Sequence, residues 1–459
     1  MSENLVNRRG FLSSIGLAGT AGMVSPGILL SSCGNGRANA LTPLIPEAEW
    51  NIPTSLPDTA GDGVPLKAGL IGCGARGKGS VHNLLTAATG VTLAAIGDVF
   101  QDSIDDTRKA LKEVFNQELP DDKCFTGFDS YRKVIDAGVD IVLLATPPNF
   151  RPLHFKAAVE AGKHVFLEKP MAVDVAGALS VIATSRQAVA KGLAVITGTQ
   201  RHHERSYIEG YKQVQSGLIG DIVSANVCWN TGSHWFRNKD AKWTDMEGML
   251  RDWGNWTWLS GDHIVEQHIH NIDVFNWFSG KKPLSATGVG ARQRRSTGDQ
   301  YDMFSVDFAY EEDVHVHSLC RQIDGCANNV FEVIRGTKGT WSSDGVIKDR
   351  KANVVWKYDA EREKAEYKQT NPYVLEHVNW INHIRNNKTI CQAEETAVST
   401  LTAIIGRMSA YSGKEVTWDE AVASGLNLQP ETLSLTDLDL SKYPVPVPGT
   451  PSGRANNQR

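Results

Sequence analysis

The feature that most constrains the fold of this chain is a glycine-rich turn near residue 72. An apolar run over residues 66–71 predicts a strand, GCGARG occupies residues 72–77, and a helical pattern follows. A second apolar run over residues 91–96 leads to Asp98, which follows Gly77 by 21 residues. Such glycines let a pyrophosphate approach a helix N-terminus, and such a carboxylate binds the ribose hydroxyls of adenosine. The pattern predicts a dinucleotide-binding βαβ unit.

The acidic residue at position 98 also selects between the two nicotinamide cofactors. A carboxylate there would repel the 2′-phosphate of NADP, so we expect NAD to be bound in preference to NADP.

Further apolar runs continue the alternation of strands and helices, and the strand predicted over residues 139–145 leads into Thr-Pro-Pro-Asn at 146–149. We expect this loop to lie at the same edge of a parallel sheet as the cofactor.

The sequence GKHVFLEKPMAVD at residues 162–174 delivers a lysine to that edge. Residues 163–167 predict a strand, and open α/β sheets bind their ligands beyond the carboxyl ends of the strands. An isolated Glu-Lys-Pro is more often a turn with a solvated lysine, but here Lys169 would stand beside the nicotinamide. The expected cofactor-binding residues are Gly72, Gly74, Ala75, Arg76, Gly77, Asp98, Thr146, Pro147, Asn149, Glu168 and Lys169.

The N-terminus has the pattern of an export signal. It carries Arg8 and Arg9, then a weakly apolar stretch rich in glycine and alanine, then Leu-Ser-Ser before Cys33. This order predicts a twin-arginine signal over residues 1–33 that ends in a lipobox, whereas a transmembrane helix is disfavoured by Pro26 and the glycines. We expect a periplasmic or outer-membrane lipoprotein that is anchored to the membrane through Cys33, followed by a linker over residues 34–63.

Length and charge bound the remaining possibilities. A chain of 459 residues is expected to contain more than one domain. The net charge of −5 and the pI near 6.2 argue against nucleic acid as a partner, because phosphate binding needs a basic face.

Residues 64–420 resemble the Gfo/Idh/MocA (glucose-fructose oxidoreductase/inositol dehydrogenase) family. The resemblance rests on IGCGARGKG, GDV, ATPPNF, AGKHVFLEKPMA and HIHNID. It implies an α/β fold in which a Rossmann NAD-binding domain, 64–199, precedes a substrate-binding α/β domain, 200–420, with an open and mainly antiparallel sheet. C-terminal helices would pack back on the Rossmann domain, and 421–459 would be a C-terminal extension. Because open sheets in this family commonly pair between subunits, we expect a homo-oligomer.

The resemblance also implies a catalytic centre. His270 falls at the catalytic histidine of the family, and Glu266 stands where many members have an aspartate. On one helix, residues 266 and 270 would share a face, so we expect the Glu266 carboxylate to orient the imidazole. Alcohol oxidation needs a base for the hydroxyl proton and a cation for the developing alkoxide. His270 suits the first task and Lys169 the second.

Aromatic residues point to the class of substrate. Seven of the twelve tryptophans lie between residues 229 and 277, among polar side chains. Indole rings stack on pyranose faces, although an aromatic core or a subunit interface also explains part of this enrichment. We therefore expect a sugar or glycoside substrate. The candidate substrate residues are Gln200, Arg201, Tyr207, Trp235, Asp252, His268 and Asp273.

A metal site is the alternative interpretation of Glu266, His268 and His270. Histidines at alternate positions suit a strand better than the helix predicted here, so we expect no bound metal.

Three functions remain open from the sequence. The first is an NAD-dependent oxidoreductase of the cell envelope that oxidises a pyranose hydroxyl, at C3, with tightly bound NAD. The second is a redox-neutral NAD-dependent glycosidase, because a ketone at C3 acidifies the proton on C2 and permits elimination at C1. The third is a non-catalytic sugar-binding lipoprotein that has kept the fold.

Overall fold

The computed structural model describes residues 51–53 and 56–450. The predicted export signal, the lipidation site Cys33 and the first part of the predicted linker lie outside these residues. Within these residues, every helix is too short or too polar to cross a membrane.

The first sheet contains seven parallel strands. They are β1 (Leu66–Ile71), β2 (Val91–Asp98), β3 (Cys124–Thr126), β4 (Ile141–Leu144), β5 (His164–Leu167), β6 (Ala194–Thr197) and β15 (Ile390–Cys391). The strand order is β15-β6-β5-β4-β1-β2-β3, which places β1 between β2 and β4. The chain therefore reverses its direction of progress at β1, and a crevice for a ligand is expected there at the carboxyl ends of the strands.

Helices connect these parallel strands. They are α1 (Ala75–Ala87), α2 (Gln101–Phe115), α3 (Ser130–Asp136), α4 (Arg151–Glu160) and α5 (Val175–Ala190). The central strand β4, Ile-Val-Leu-Leu, is buried along its whole length, as a parallel strand covered on both faces must be. Asp174 caps the N-terminus of helix α5, and its carboxylate accepts a hydrogen bond from the Gly177 amide at 2.8 Å.

The second sheet contains nine strands and is mixed but mainly antiparallel. Its strands are β7 (Ile222–Thr231), β8 (Ser285–Ala291), β9 (Met303–Ala309), β10 (His315–Gln322), β11 (Asn329–Gly336), β12 (Gly339–Ser342), β13 (Val346–Asp349), β14 (Val354–Lys357) and β16 (Val416–Thr417). The order is β14-β13-β12-β11-β7-β10-β9-β8-β16, and β7 and β10 form the parallel pair. The expected fold class, a Rossmann domain followed by an α/β domain with a mainly antiparallel sheet, is confirmed.

The helices of the second half complete the two domains. They are α6 (Arg205–Gln215), α7 (Asp245–Arg251), α8 (Thr257–Ser260), α9 (His263–Glu266), α10 (Ile269–Ser279), α11 (Ala360–Glu366), α12 (Pro372–Arg385), α13 (Ala393–Ser412) and α14 (Trp418–Ser424). Helix α12 packs on the Rossmann domain, where the fully buried Trp380 donates its indole N–H to the Ala194 carbonyl at 3.0 Å. Late residues of the chain thus belong to the core of the first domain.

Both predicted flanking segments contact the folded body. In the linker, the Ala60 amide donates to the Ala87 carbonyl at 2.8 Å, and Arg385 donates to the Gly61 carbonyl at 2.6 Å. In the C-terminal extension, the Leu428 amide donates to the Asp174 carboxylate at 2.7 Å. These parts of the two segments are packed elements of the domain rather than free tethers.

Candidate active site

The glycine-rich turn between β1 and α1 fits a dinucleotide. Gly72 has a φ of +99°, and a Cβ there would lie 2.6 Å from the carbonyl carbon of Ala145. A Cβ on Gly77 would lie 1.9 Å from the Gly72 carbonyl oxygen, whereas one on Gly74 would meet nothing within 4 Å. The first and last glycines therefore permit the tight turn. Gly74, just before Ala75 opens the helix, leaves space for a pyrophosphate.

Asp98 closes the adenosine end of this site at the C-terminus of β2. Its carboxylate accepts hydrogen bonds from the amides of Cys73, at 2.7 Å, and Phe100, at 2.9 Å. Burial raises the pKa of Asp98 in spite of these donors. The carboxylate is fixed beside the glycine turn, where ribose hydroxyls would lie in a bound NAD.

The loop after β4 lies at the same edge, and its side chains contact neighbouring parts of the protein. The Thr146 hydroxyl lies 3.3 Å from His154 Nδ1, and Pro147 leads into a short helical turn. The Asn149 side chain is buried and donates to the Trp258 carbonyl at 2.6 Å. Asn149 therefore ties the loop to the second domain.

Glu168 is bound within the protein. Its carboxylate, which is 1% exposed, accepts hydrogen bonds from Arg76 and, at 3.2 Å, from the Ser80 hydroxyl. Arg76 also lies 3.4 Å from the buried carboxylate of Glu376 on α12. Glu168 and Arg76 thus fix the Glu-Lys-Pro loop to the start of α1.

Lys169 forms an ion pair across the domain boundary. Its ammonium donates to Glu266 Oε1 at 2.9 Å and to the Glu266 main-chain carbonyl at 2.5 Å. Burial opposes ionisation of Glu266, but the neighbouring Lys169, His234 and Arg151 lower its pKa below the usual value. Glu266 is therefore a carboxylate, and it holds the Lys169 side chain at the carboxyl edge of the first sheet.

His270 stands near this pair as a neutral imidazole. It is 7% exposed and packs against Trp229, with ring centroids 5.8 Å apart. Burial, followed by the positive charges of Lys169 and Arg201, lowers the pKa of His270 well below its usual value. The described residues contain no hydrogen-bond partner for this side chain. A neutral imidazole with a free ring nitrogen can accept a proton.

The expected orientation of His270 by Glu266 is wrong. Glu266 ends α9 and His270 lies in the next helix, α10, because the ladder of helical hydrogen bonds is interrupted between them, where the His270 amide donates to the Gln267 carbonyl at 3.3 Å. The two residues therefore do not share a face of one helix, and the Glu266 carboxylate bonds Lys169.

Arg201 and Tyr207 meet at a buried carboxylate, Glu332, that was not among the predicted site residues. Glu332 on β11 accepts hydrogen bonds from Arg201, from the Tyr207 hydroxyl at 2.9 Å and from the Asn271 amide at 2.5 Å. Glu332 and Ile334 lie two positions apart on the same buried face of β11. A charged residue on an otherwise apolar strand face was therefore the sequence signal that could have identified Glu332. Arg201 also lies over the Trp229 ring, 5.8 Å from its centroid, which brings it near His270.

Three other predicted substrate residues are used inside the protein. His268 is fully buried and lies 2.7 Å from the Ser318 hydroxyl. Asp273 is 1% exposed and pairs with His202 at 2.7 Å. Asp252, 2% exposed, accepts from the Arg237 amide and from the Asn255 side chain, both at 2.8 Å. These contacts organise the walls of the site and leave little of the three side chains for a substrate, while Gln200 is also nearly buried.

The segment after β7 brings an unpredicted histidine towards the ion pair. His234 packs over Gly254, where an added Cβ would lie 2.5 Å from its Nε2. Burial lowers the pKa of His234 to about 4, while the nearby Glu266 opposes this shift. Trp235, which is 43% exposed, follows it and packs edge-on against Trp253. His234 was visible in the sequence only as one polar residue within the tryptophan-rich region.

The metal interpretation receives no support from these contacts. Glu266 binds Lys169, His268 binds Ser318, and His270 packs on Trp229. Over residues 51–53 and 56–450, three or more histidine, cysteine, aspartate or glutamate side chains do not come together in a group that could hold a metal ion.

Two family models match the chain over more than half of its length. Residues 66–197 match the family described as an oxidoreductase family with an NAD-binding Rossmann fold. Residues 209–342 match the GFO/IDH/MocA C-terminal domain.

Several curated proteins are similar in sequence. The chain is 27% identical over 291 residues to an α-N-acetylgalactosaminidase of Shewanella oneidensis, covering 62% of this chain and 60% of that protein. It is 28% identical over 207 residues to inositol 2-dehydrogenase 1 of Saccharopolyspora erythraea, covering 45% and 57%. The matched region thus spans about 60% of the length of these relatives.

Solved structures share the fold. Scyllo-inositol dehydrogenase from Lactobacillus casei, solved with NAD(H) and scyllo-inositol, aligns with a TM-score of 0.58 and 20% identity over 77% of this chain and 99% of that one. An aldose-aldose oxidoreductase from Caulobacter crescentus aligns with a TM-score of 0.59 and 17% identity over the same shares. The expectation of an NAD-binding Rossmann domain is confirmed, and the chain belongs to the Gfo/Idh/MocA family of oxidoreductases.

Proposed function

We propose that this protein is an NAD-dependent oxidoreductase of the cell envelope that oxidises the C3 hydroxyl of a sugar or glycoside to a ketone. The observation that carries the proposal is the neutral, buried His270 beside the ionised Lys169–Glu266 pair. A base and a cation at the carboxyl edge of a dinucleotide-binding sheet are the groups that alcohol oxidation requires.

Each residue has a separate task in this reaction. His270 accepts the hydroxyl proton, and the low pKa of its imidazole keeps its nitrogen lone pair available at neutral pH. The Lys169 ammonium stabilises the negative charge that develops on the sugar oxygen, and Glu266 holds that ammonium in position. NAD, when bound, supplies the acceptor for the hydride. Arg201 and Trp229 lie beside the imidazole and restrict the approach of the substrate.

The proposed location gives the cofactor an additional requirement. Arg8, Arg9 and Cys33 support export by the twin-arginine route and a lipid anchor on the periplasmic or outer-membrane side. Twin-arginine export moves folded proteins, and the envelope has no ordinary pool of free NAD. We therefore propose that NAD is loaded before export, retained, and returned to its starting state by a second sugar.

A redox-neutral glycosidase is the second candidate. It is favoured by similarity to proteins named α-N-acetylgalactosaminidase and glycosyl hydrolase family 109 protein. Elimination from a 3-keto sugar needs a further group to take the C2 proton. His234, near Glu266 and neutral at physiological pH, is a candidate for that task.

We also propose that the protein pairs with a second copy through the exposed face of the nine-stranded sheet. Val289, Ser305 and Leu319 lie in register across β8, β9 and β10, and Val289 is 69% exposed and Leu319 37%. Exposed apolar side chains on a continuous sheet face are typical of a subunit interface.

A nicotinamide assay with a panel of p-nitrophenyl glycosides tests the enzymatic proposal. We expect the full chain to reduce NAD, and Lys169→Met to lower the rate constant of that reduction by roughly 10²- to 10⁴-fold. Lys156→Met is the matched control, because Lys156 is exposed on α4 and is expected to leave the rate unchanged.

The other outcomes separate the alternatives. Nitrophenol release without added NAD would select the glycosidase. A wild-type protein that binds the sugars but reduces no NAD, and whose sugar affinity survives Lys169→Met, would be a sugar-binding protein.

A further inference from the structure

An apolar cluster from three separate regions lies beside the loop that follows Asp98. The Rossmann domain contributes residues just beyond β2, β3 and β4, namely Val99, Phe100, Phe128 and Phe150. The second domain contributes the α7–α8 region, with Met246, Met249, Leu250, Trp253, Trp256, Trp258 and Leu259. The C-terminal extension contributes Leu428, Leu433, Leu438 and Tyr443. We call the α7–α8 region, 245–259, together with residues 428–443, the cap.

Polar contacts fix the cap to the groove at both ends. Arg251 of α7 donates to the Asp102 carboxylate at 2.8 Å, and its guanidinium lies 3.9 Å from the centroid of the Phe100 ring. At the other end, Gln429 donates to the Asn149 carbonyl at 3.1 Å, and Asn149 donates to the Trp258 carbonyl. The two loops that border the cofactor groove are therefore each tied to the cap.

The extension also supports α7 from behind. The Met246 amide donates to the Thr436 carbonyl at 3.1 Å, and the Leu438 amide donates to the Asp245 carboxylate at 3.1 Å. Movement of α7 away from Phe100 would break these contacts together with those of Arg251. Opening of the cap therefore breaks several interactions at once.

The position of the cap relates it to the cofactor. The Phe100 amide donates a hydrogen bond to the carboxylate of Asp98, the residue that is placed to bind the adenosine ribose. Arg251 is engaged by Asp102 and by Glu247, the latter at 2.8 Å, so it offers no unpaired charge for the 2′-phosphate of NADP. A dinucleotide in the groove would have its adenosine end enclosed between the Rossmann loops and the cap.

We infer that the cap is a retention element that slows the release of NAD by closing the adenosine end of its groove. This inference rests on the proposed function, since it supplies the retained cofactor that an enzyme in the envelope requires. Ligands leave such an enclosed groove only after the covering segment opens, so the cap acts mainly on the dissociation rate.

The dissociation rate of NAD from the purified full chain tests the inference. Protein loaded with radiolabelled NAD is mixed with excess unlabelled NAD, and the label that stays with the protein is followed in time. We expect Arg251→Ala to accelerate release at least about tenfold, since it removes two ion pairs and the contact with Phe100. A chain ending at Gly425 is expected to release NAD faster still.

Arg186→Ala is the matched control. Arg186 also forms an ion pair between domains, with Glu394 at 2.7 Å, but it lies on α5, between β5 and β6, whereas the cap lies beyond β2. We expect the Arg186→Ala variant to release NAD at the same rate as the wild type. Circular dichroism and the melting temperature establish that each variant is folded.

Two outcomes would overturn the inference. One is that the wild type and a folded Arg251→Ala variant release NAD at the same rate. The other is that the wild type releases its NAD within seconds. The proposed function fails separately, if the wild type with excess NAD oxidises no glycoside.

Discussion

At the scale of single residues, the site is defined by two charges that compensate each other and one imidazole that stays uncharged. The Lys169–Glu266 pair is largely buried, with 16% and 14% of the two side chains exposed. Removing one member of such a pair leaves the other charge buried without compensation, which typically costs about 3–5 kcal/mol. Exchange of Lys169 for an apolar residue is therefore expected to affect stability as well as hydride transfer.

The low pKa of His270 gives a prediction with a definite sign. Burial and the charges of Lys169 and Arg201 favour the neutral ring, so the imidazole should remain unprotonated as the pH falls from about 8 to about 6. NMR titration of the histidine rings measures this directly. Lys169→Met should move the inflection of His270 to higher pH because it removes a positive neighbour.

His315 is the comparison group in the same spectra. Its hydrogen bond to Asp307, at 2.7 Å, raises the pKa of His315, so this ring should titrate on the opposite side of the usual value. A His270 inflection at the ordinary histidine value would contradict the assignment of a neutral base.

At the scale of elements, the β1–α1 turn depends on the absence of side chains at particular glycines. Gly77 lies inside α1 but faces the Gly72 carbonyl, so the start of the helix and the end of β1 are in direct contact there. Gly79, two residues further along the same helix, would meet nothing within 4 Å if it carried a Cβ. Alanine substitution at these two positions therefore distinguishes the effect of helix propensity on stability from the effect of packing.

Gly77→Ala and Gly79→Ala should therefore have opposite effects. Alanine at 77 must displace the turn, so we expect a loss of about 1–3 kcal/mol in the free energy of unfolding, or more, together with weakened NAD binding. Alanine at 79 should stabilise the helix by about 0.5–1 kcal/mol and leave NAD binding unchanged. Urea unfolding and NAD titration measure both quantities, and equal effects of the two variants would refute the packing argument.

At the scale of the whole molecule, the start of the described chain is held at the beginning of α13. Asn51 donates its side-chain amide to the Glu395 carboxylate at 2.9 Å, and Gln392 donates to the Asn51 carbonyl at 3.1 Å. Burial raises the pKa of Glu395 to about 7. The segment that leads into the folded body is thus held by a carboxyl group that changes charge near neutral pH.

Glu395 should make stability decrease as the pH rises. In the folded state Glu395 keeps its proton up to about pH 7, whereas an unfolded glutamate loses its proton near pH 4.3. The stability that protonated Glu395 contributes is therefore complete below the lower pKa, and it is lost as the pH rises through the higher one. The difference is on the order of 3 kcal/mol. In Glu395→Gln, the fall in the free energy of unfolding between about pH 5 and pH 8 should be smaller by that amount.

Glu394→Gln serves as the control for this measurement. Glu394 is the neighbouring residue and pairs with the partly exposed Arg186, and such exposed pairs contribute about 0–1 kcal/mol. If both variants show the same dependence of stability on pH as the wild type, Glu395 is not the group responsible.

The sequence by itself determined the parts of the protein that depend on local pattern. The glycine turn, Asp98 and the Glu-Lys-Pro loop predicted the Rossmann domain, its cofactor and the edge at which Lys169 lies, because each is a short segment with a fixed relation to one strand. The resemblance added the second domain and identified His270 as the catalytic candidate.

Only the tertiary structure decided which groups face each other. Lys169 and Glu266 are 97 positions apart, and Arg201 and Glu332 are 131 apart. Asp273 and His268 have the same polar character as the site residues, yet packing encloses them. Periodicity specifies the face of an element on which a side chain lies, but its partner is set by how two domains pack, and no local pattern contains that information.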